Sequence, residues 1–205
     1  MPNHCENDLI VIGPKDDVER FVKESSIEDT SMGDDIHLDF NTAVPYPEKW
    51  EAMDGVQEEY DEETRRLCEE AASKMPEWAS KEEVHGAVSA VNRERWTQET
   101  RPKNGYNAGG YEWCIENWGT KWNAYSTHSI SVEPVDDSSK QFKISFDTAW
   151  APPIPVVHAW AEKHPSLEIS LHWYEAGCGF CGSLVLHGAE VLQETNGEYR
   201  GPRGG

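Results

Sequence analysis

The chain has 205 residues, with 18 Lys and Arg against 38 Asp and Glu and a formal net charge of −20. That length suits one well-buried core carrying an elaboration and is short for two average domains. A surface this acidic excludes a general phosphate-backbone binder, which needs clustered positive charge, and no apolar run reaches the length of a membrane span.

In chain order, Asp8 to Ile12 reads as a short β-branched strand closed by Gly13-Pro14, and Val18, Phe21 and Val22 follow at helical spacing. Ile36, Leu38 and Phe40 alternate with His37 and Asp39 as in a half-buried strand. After Pro45 and Pro47 the composition turns acidic, with carboxylates at ten positions between Glu48 and Glu70. Tyr60, Thr64, Leu67, Cys68, Ala71, Ala72 and Met75 keep helical spacing through it, which predicts an amphipathic helix with a solvated carboxylate face. Ser80 with Glu83 three residues on predicts a capping box for a second helix carrying Val84, Val88 and Val91. Arg101 to Gly110 reads as loop, so residues of about 45–110 form an acidic helical insertion.

Ile130 and Val132 predict a strand, Asp136 to Ser139 a turn, and Phe142, Ile144 and Phe146 an alternating strand. Prolines 152, 153 and 155 precede a helix bearing Val157, Trp160 and Ala161, and Pro165 ends it. Leu167, Ile169, Leu171 and Trp173 give the clearest strand, a Gly-rich turn leads to a strand at Ser183 to His187, and a last short strand lies near Val191. The segment 196–205 has little to bury and reads as a flexible tail. The order predicts an α+β, ferredoxin-like sandwich over residues 1–195, a mainly antiparallel sheet with helices on one face.

Five cysteines and an opening without an apolar signal core predict free thiols in a reducing cytoplasm. Cys178-Gly-Phe-Cys181 has the spacing of half a zinc site, to which His4 and Cys5 offer a remainder. The competing reading is a Gly-rich hairpin, and we expect no metal and no cofactor. The acidic excess reads as solubility, with mimicry of DNA charge as the sharper alternative.

Tyr111 to Trp122 holds three of the nine tryptophans, so this block either fills core or walls a pocket. Together the opening Met-Pro-Asn-His-Cys-Glu-Asn, the block Trp113 to Trp122, the block Phe146-Asp-Thr-Ala-Trp-Ala-Pro-Pro153 and the turn Gly177 to Gly182 resemble the YubB-type family of phage and plasmid proteins. The resemblance implies a ferredoxin-like domain and a bacterial cell carrying a mobile element as the setting, and it brings no established general biochemical activity with it. It covers the first 45 residues and about 111–193, leaves out the acidic insertion, and departs from the family at His4, where Trp is usual, and in having Cys at both Cys178 and Cys181, so no metal role is carried over.

If the strand after Trp122 pairs with Phe142 to Asp147, the two tryptophan blocks share one end of the sheet. Asn117, Trp118, Thr120, Lys121, Trp122, Asp147, Thr148 and Trp150 are then a candidate ligand site, mostly apolar with a few convergent polar groups. The competing reading is a structural corner with the indoles in the core. His128, His158, His164, His172 and His187 form no known catalytic spacing, and no P-loop, nucleophile elbow, zincin or dinucleotide fingerprint is present.

The reading is a non-catalytic phage or plasmid protein that binds and disables a bacterial host protein as a counter-defence factor, with Glu58, Glu59, Asp61, Glu62 and Glu63 as its partner-binding carboxylates. The alternative is a binder of a small nucleotide-like ligand. A third reading, an enzyme working through Asp147, Glu175 or the histidines, rests only on their proximity.

Overall fold

Strict alternation in His4–Pro14 sets the first strand, with Cys5, Asn7, Leu9 and Val11 buried on one side and His4, Glu6 and Asp8 on the other. The computed structural model describes residues 3–28, 36–97 and 102–201. Its elements are β1 (His4–Pro14), α1 (Lys15–Ser25), β2 (Ser26–Glu28), β3 (Ile36–Leu38), α2 (Glu48–Ser73), α3 (Lys81–Thr97), α4 (Gly110–Trp118), β4 (Tyr125–Pro134), β5 (Ser139–Ala149), α5 (Ile154–Lys163), β6 (Glu168–Glu175), β7 (Phe180–His187) and β8 (Glu190–Glu198). Two compact units result, Met1–Pro45 with Tyr111–Gly205, and Tyr46–Gly110. No described helix is long and apolar enough to cross a membrane.

The first unit is built on a six-stranded antiparallel sheet of order β4-β5-β1-β6-β7-β8. Strands β1 and β4, whose long connection starts with α1 and carries the second unit as an insertion, have β5 between them, and β5 and β6, joined through α5, have β1 between them. These are two interlocked split β-α-β units, the ferredoxin-like α+β arrangement, and β7 with β8 extend it as a hairpin.

Helices α1 and α5 cover the face that carries Leu9, Val11, Phe142, Ile144, Ile169 and Leu171. Phe21 of α1 meets Phe142 and Trp160 with ring centroids 6.3 and 5.8 Å apart. Phe40 packs edge-on against Trp118, Phe146 and Trp160 at 5.8, 6.3 and 5.9 Å. Each such ring removes apolar area worth about 1.5–3 kcal/mol, so this aromatic hub dominates the core.

Phe40 does not continue a strand as its alternation predicts. It opens a 3-10 turn, Phe40–Thr42, capped by the Asp39 carboxylate, which accepts from the Asn41 N–H at 3.0 Å. The local Asx bond offers the backbone an alternative to the sheet ladder. The strand pairing at the other end also outruns the sequence pattern. Asn196, Gly197 and Glu198, expected in a flexible tail, pair with Gly182, Cys181 and Phe180, while 202–205 lie outside the described residues.

In the second unit α2 and α3 run antiparallel. Tyr60 donates its hydroxyl to the Arg95 carbonyl at 2.7 Å, and the Cys68 thiol lies against the Val88 carbonyl. The Arg95 guanidinium sits 3.7 Å over the Tyr60 ring and donates to Thr64 and Glu63. The capping box forms as its spacing demands: the Ser80 N–H donates to Glu83 at 2.8 Å and the Glu83 N–H to the Ser80 hydroxyl at 3.2 Å. Ser80→Ala is expected to cost α3 about 1 kcal/mol, read as faster hydrogen exchange in its first turn.

Candidate functional site

The tryptophan block 113–122 begins inside a helix and leaves it after Trp118. In α4, Cys114 and Trp118, four residues apart, turn one face into the core. Gly119 stops it at φ +78°, where a Cβ would lie 2.7 Å from Pro155 Cδ, so glycine is required there. Beyond it the Thr120 hydroxyl donates to the Ala149 carbonyl at 2.9 Å, and Asn123 accepts the Phe40 N–H and donates to Asp39. Strand β4 then pairs with β5, setting Tyr125 opposite Asp147. The two motif blocks therefore meet.

Their residues divide between core and surface. Trp118 is 4% exposed, donates its indole N–H to the Val44 carbonyl at 2.8 Å and stands edge-on to Trp113. Thr120 and Thr148 are buried, and Thr148 accepts from Asn7 at 2.9 Å and donates to the Ala151 carbonyl. Asn117 donates to the Trp113 carbonyl of its own helix. These four are held by the fold rather than presented to a ligand. Lys121 lies over the rings of Tyr111 and Trp122, at 5.4 and 4.8 Å, and Trp150 is exposed with a left-handed φ of +74°, its N–H bonded to the Asn3 carbonyl.

Asp147 faces the other way, onto the sheet side opposite α1 and α5. There β1 brings Glu6 directly opposite it, and a His4 ring nitrogen meets the Tyr125 hydroxyl at 2.8 Å. Trp122 leans on Tyr125 with centroids 6.3 Å apart. Burial raises the Asp147 carboxyl above its usual range, with Glu6 adding to the rise and His4 and His128 opposing it. Burial, then Asp147, pushes the Tyr125 phenol up to about 12. In the next row the Ser145 hydroxyl donates to Asp8 at 2.6 Å, and His172 pairs with Asp8 across the strands. Directly opposed carboxylates beside aromatic rings suit a cationic group and repel phosphate.

The sequence marks Asp147 and Trp122 as site residues but not Glu6 or Tyr125, and it names His4 and His128 without joining them to this corner. Strand register alone joins positions more than a hundred residues apart, and no local pattern announces it.

The Cys178 turn is organised by Glu175, a carboxylate only 1% exposed that accepts the N–H groups of Gly177, at 2.8 Å, and Cys178. Cys181 and Cys5 sit on opposite faces of the sheet, so the proposed remainder of a zinc site does not converge. Among the described residues no three His, Cys, Asp or Glu side chains are placed to hold a metal ion. Glu58, Glu59, Asp61, Glu62 and Glu63 are all exposed on α2. Asp61 accepts from Gln57 at 2.8 Å and Glu63 pairs with Arg95 at 2.8 Å.

No curated protein matches the chain. Among solved structures it is similar to the crystal structure of a protein api92 from Yersinia pseudotuberculosis, at 11% identity over 98% of this chain and 100% of that one, with a TM-score of 0.46. A family model described as a ferredoxin-like domain in Api92-like protein matches residues 120–201, from Thr120 through β8. Over that span the chain is similar to the C-terminal, ferredoxin-like domain of Api92-like proteins.

Proposed function

We propose that the protein is a binding protein that engages a basic surface of a bacterial host protein, with the unit Tyr46–Gly110 as its docking element. The observation that carries this reading is the exposure of Trp78 and Trp96, 82% and 69%, on the same unit as the five carboxylates of α2. Tryptophan is seldom left so open, and at interfaces it is a leading anchor residue. Glu58 with Glu62 and Glu59 with Glu63 are like-charge pairs at four-residue spacing, which oppose helix formation, so they are poorly explained by the stability of α2. The resemblance to YubB-type proteins supports the mobile-element setting, and the counter-defence role follows from the general habit of such elements to carry small proteins that blunt host defence. The small-ligand alternative is weakened by the burial of Trp118 and by the opposed carboxylates of Asp147 and Glu6 near Tyr125, on which Trp122 leans.

Native mass spectrometry of the protein isolated from its host tests the proposal. The wild type is expected to carry a stoichiometric protein partner, and reversal of Glu58, Glu59, Asp61, Glu62 and Glu63 to lysine is expected to weaken it at least about tenfold while the ferredoxin-like unit stays folded. Raising the salt weakens the wild-type complex in the same direction. Retention unchanged by the reversal removes the acidic helix from the account.

A further inference from the structure

We infer that a second copy of this chain covers the groove between α2 and α3, so that two hairpins assemble as a four-helix bundle. Among the described residues of Tyr46–Gly110 no apolar side chain is buried: α2 buries only Gln57 and α3 buries none. Leu67, Ala71, Val84, Val88 and Val91, which give the two helices their apolar stripes, all remain half-buried, as does Met75 just beyond α2. Helical stability comes mainly from covering such a stripe, and a two-helix hairpin offers no third layer to do it. The groove itself has a volume of about 380 Å³, with Leu67, Ala71 and Val91 in its walls and Glu70, Lys74, Glu94 and Arg95 at its rim.

Charge selects the occupant. The chain carries −20, yet this rim holds two acids and two bases and is locally neutral. A strongly basic partner finds no excess of carboxylate there. A two-fold axis, by contrast, requires a surface that complements itself, and this rim does: Lys74 of each copy can face Glu94 of the other while the aliphatic walls meet. The inference goes beyond the partner proposed above, which uses the carboxylate face and the exposed tryptophans.

Sedimentation equilibrium of the full chain at about 0.15 M salt, where the Debye length of about 8 Å screens the general acidic repulsion, reads the assembly directly. The wild type is expected at twice the 23.2 kDa chain mass in the micromolar range. Val91→Glu is expected to give monomer with unchanged helix content. Lys74→Glu is expected to weaken the dimer about tenfold, and the double variant Lys74→Glu with Glu94→Lys to restore it to within about threefold. Because Lys74 also pairs with Glu70 at 2.7 Å within its own helix, and both variants lose that pair, recovery in the double variant isolates the contact between copies. A wild type that stays monomeric overturns the inference, as does a dimer indifferent to both Val91→Glu and Lys74→Glu. Neither outcome touches the host-partner reading, whose test depends on Glu58 to Glu63.

Discussion

Trp118→Ala is expected to destabilise the ferredoxin-like unit by about 3–5 kcal/mol, because it opens a cavity beside Phe40 and Trp113 and leaves the Val44 carbonyl without its indole donor. In a chain of this length that loss lowers the melting temperature by about 10 °C or more. Trp122→Ala, from the same motif, is expected to cost about 1 kcal/mol, since Trp122 is half-buried and leans on Tyr125 from one side. Denaturant unfolding of the two variants checks the pair. Equal effects would mean that α4 does not anchor the motif in the core, and a Trp118 variant as stable as wild type would return that indole to the surface as a ligand platform.

The contrast between these two tryptophans shows where sequence stops informing. Alternation made β6 legible, because Leu167, Ile169, Leu171 and Trp173 all face the helices. The capping box made the start of α3 legible for the same reason: both signals are local. Helix α4 was not, because nine residues contain only the Cys114 and Trp118 repeat, too little to define a period. Strand β4 is obscured by register shifts between Tyr125 and His128 and between His128 and Ser131, with Ser126 and Ser129 at φ +51° and +53°. Of the open-face corner of Glu6, Asp147, Tyr125 and His4, the sequence marked Asp147 as a site residue but not the neighbours it would meet. Its members are ordinary surface residues until β1 slots between β5 and β6.

The two units also solve stability differently. The ferredoxin-like unit stacks aromatic side chains between sheet and helices, whereas the hairpin relies on one polar hub, Arg95 with Tyr60, Thr64 and Glu63, and half-covered aliphatics. A hub of this kind fixes the register of α2 against α3 but removes little apolar area from water, so an external cover adds most where it meets Leu67, Ala71 and Val91.

Gly182→Ala is expected to have the second largest effect, concentrated at the far edge of the sheet. A Cβ there would lie 2.3 Å from Trp173 Cζ2 and 2.4 Å from the Thr195 carbonyl oxygen, trapped between a core ring and the backbone of the neighbouring strand. Overpacking of this kind costs about 1–3 kcal/mol, and relief comes from the weaker side. Trp173 is locked under the helices, whereas every residue of β8 is exposed, so β8 is expected to separate from β7 while the rest of the sheet holds. Hydrogen exchange at Glu190–Glu198 then accelerates by about 100-fold with little change in β1 or β5. Cys181, whose thiol lies against the Glu198 carbonyl, becomes open to alkylation, while Cys5, fully buried and with its thiol pushed up to about 12 by that burial, stays protected as an internal control. Exchange and alkylation rates within about threefold of wild type would show that β7 and β8 can part slightly without unpairing, and the need for glycine would then lie in Trp173 alone.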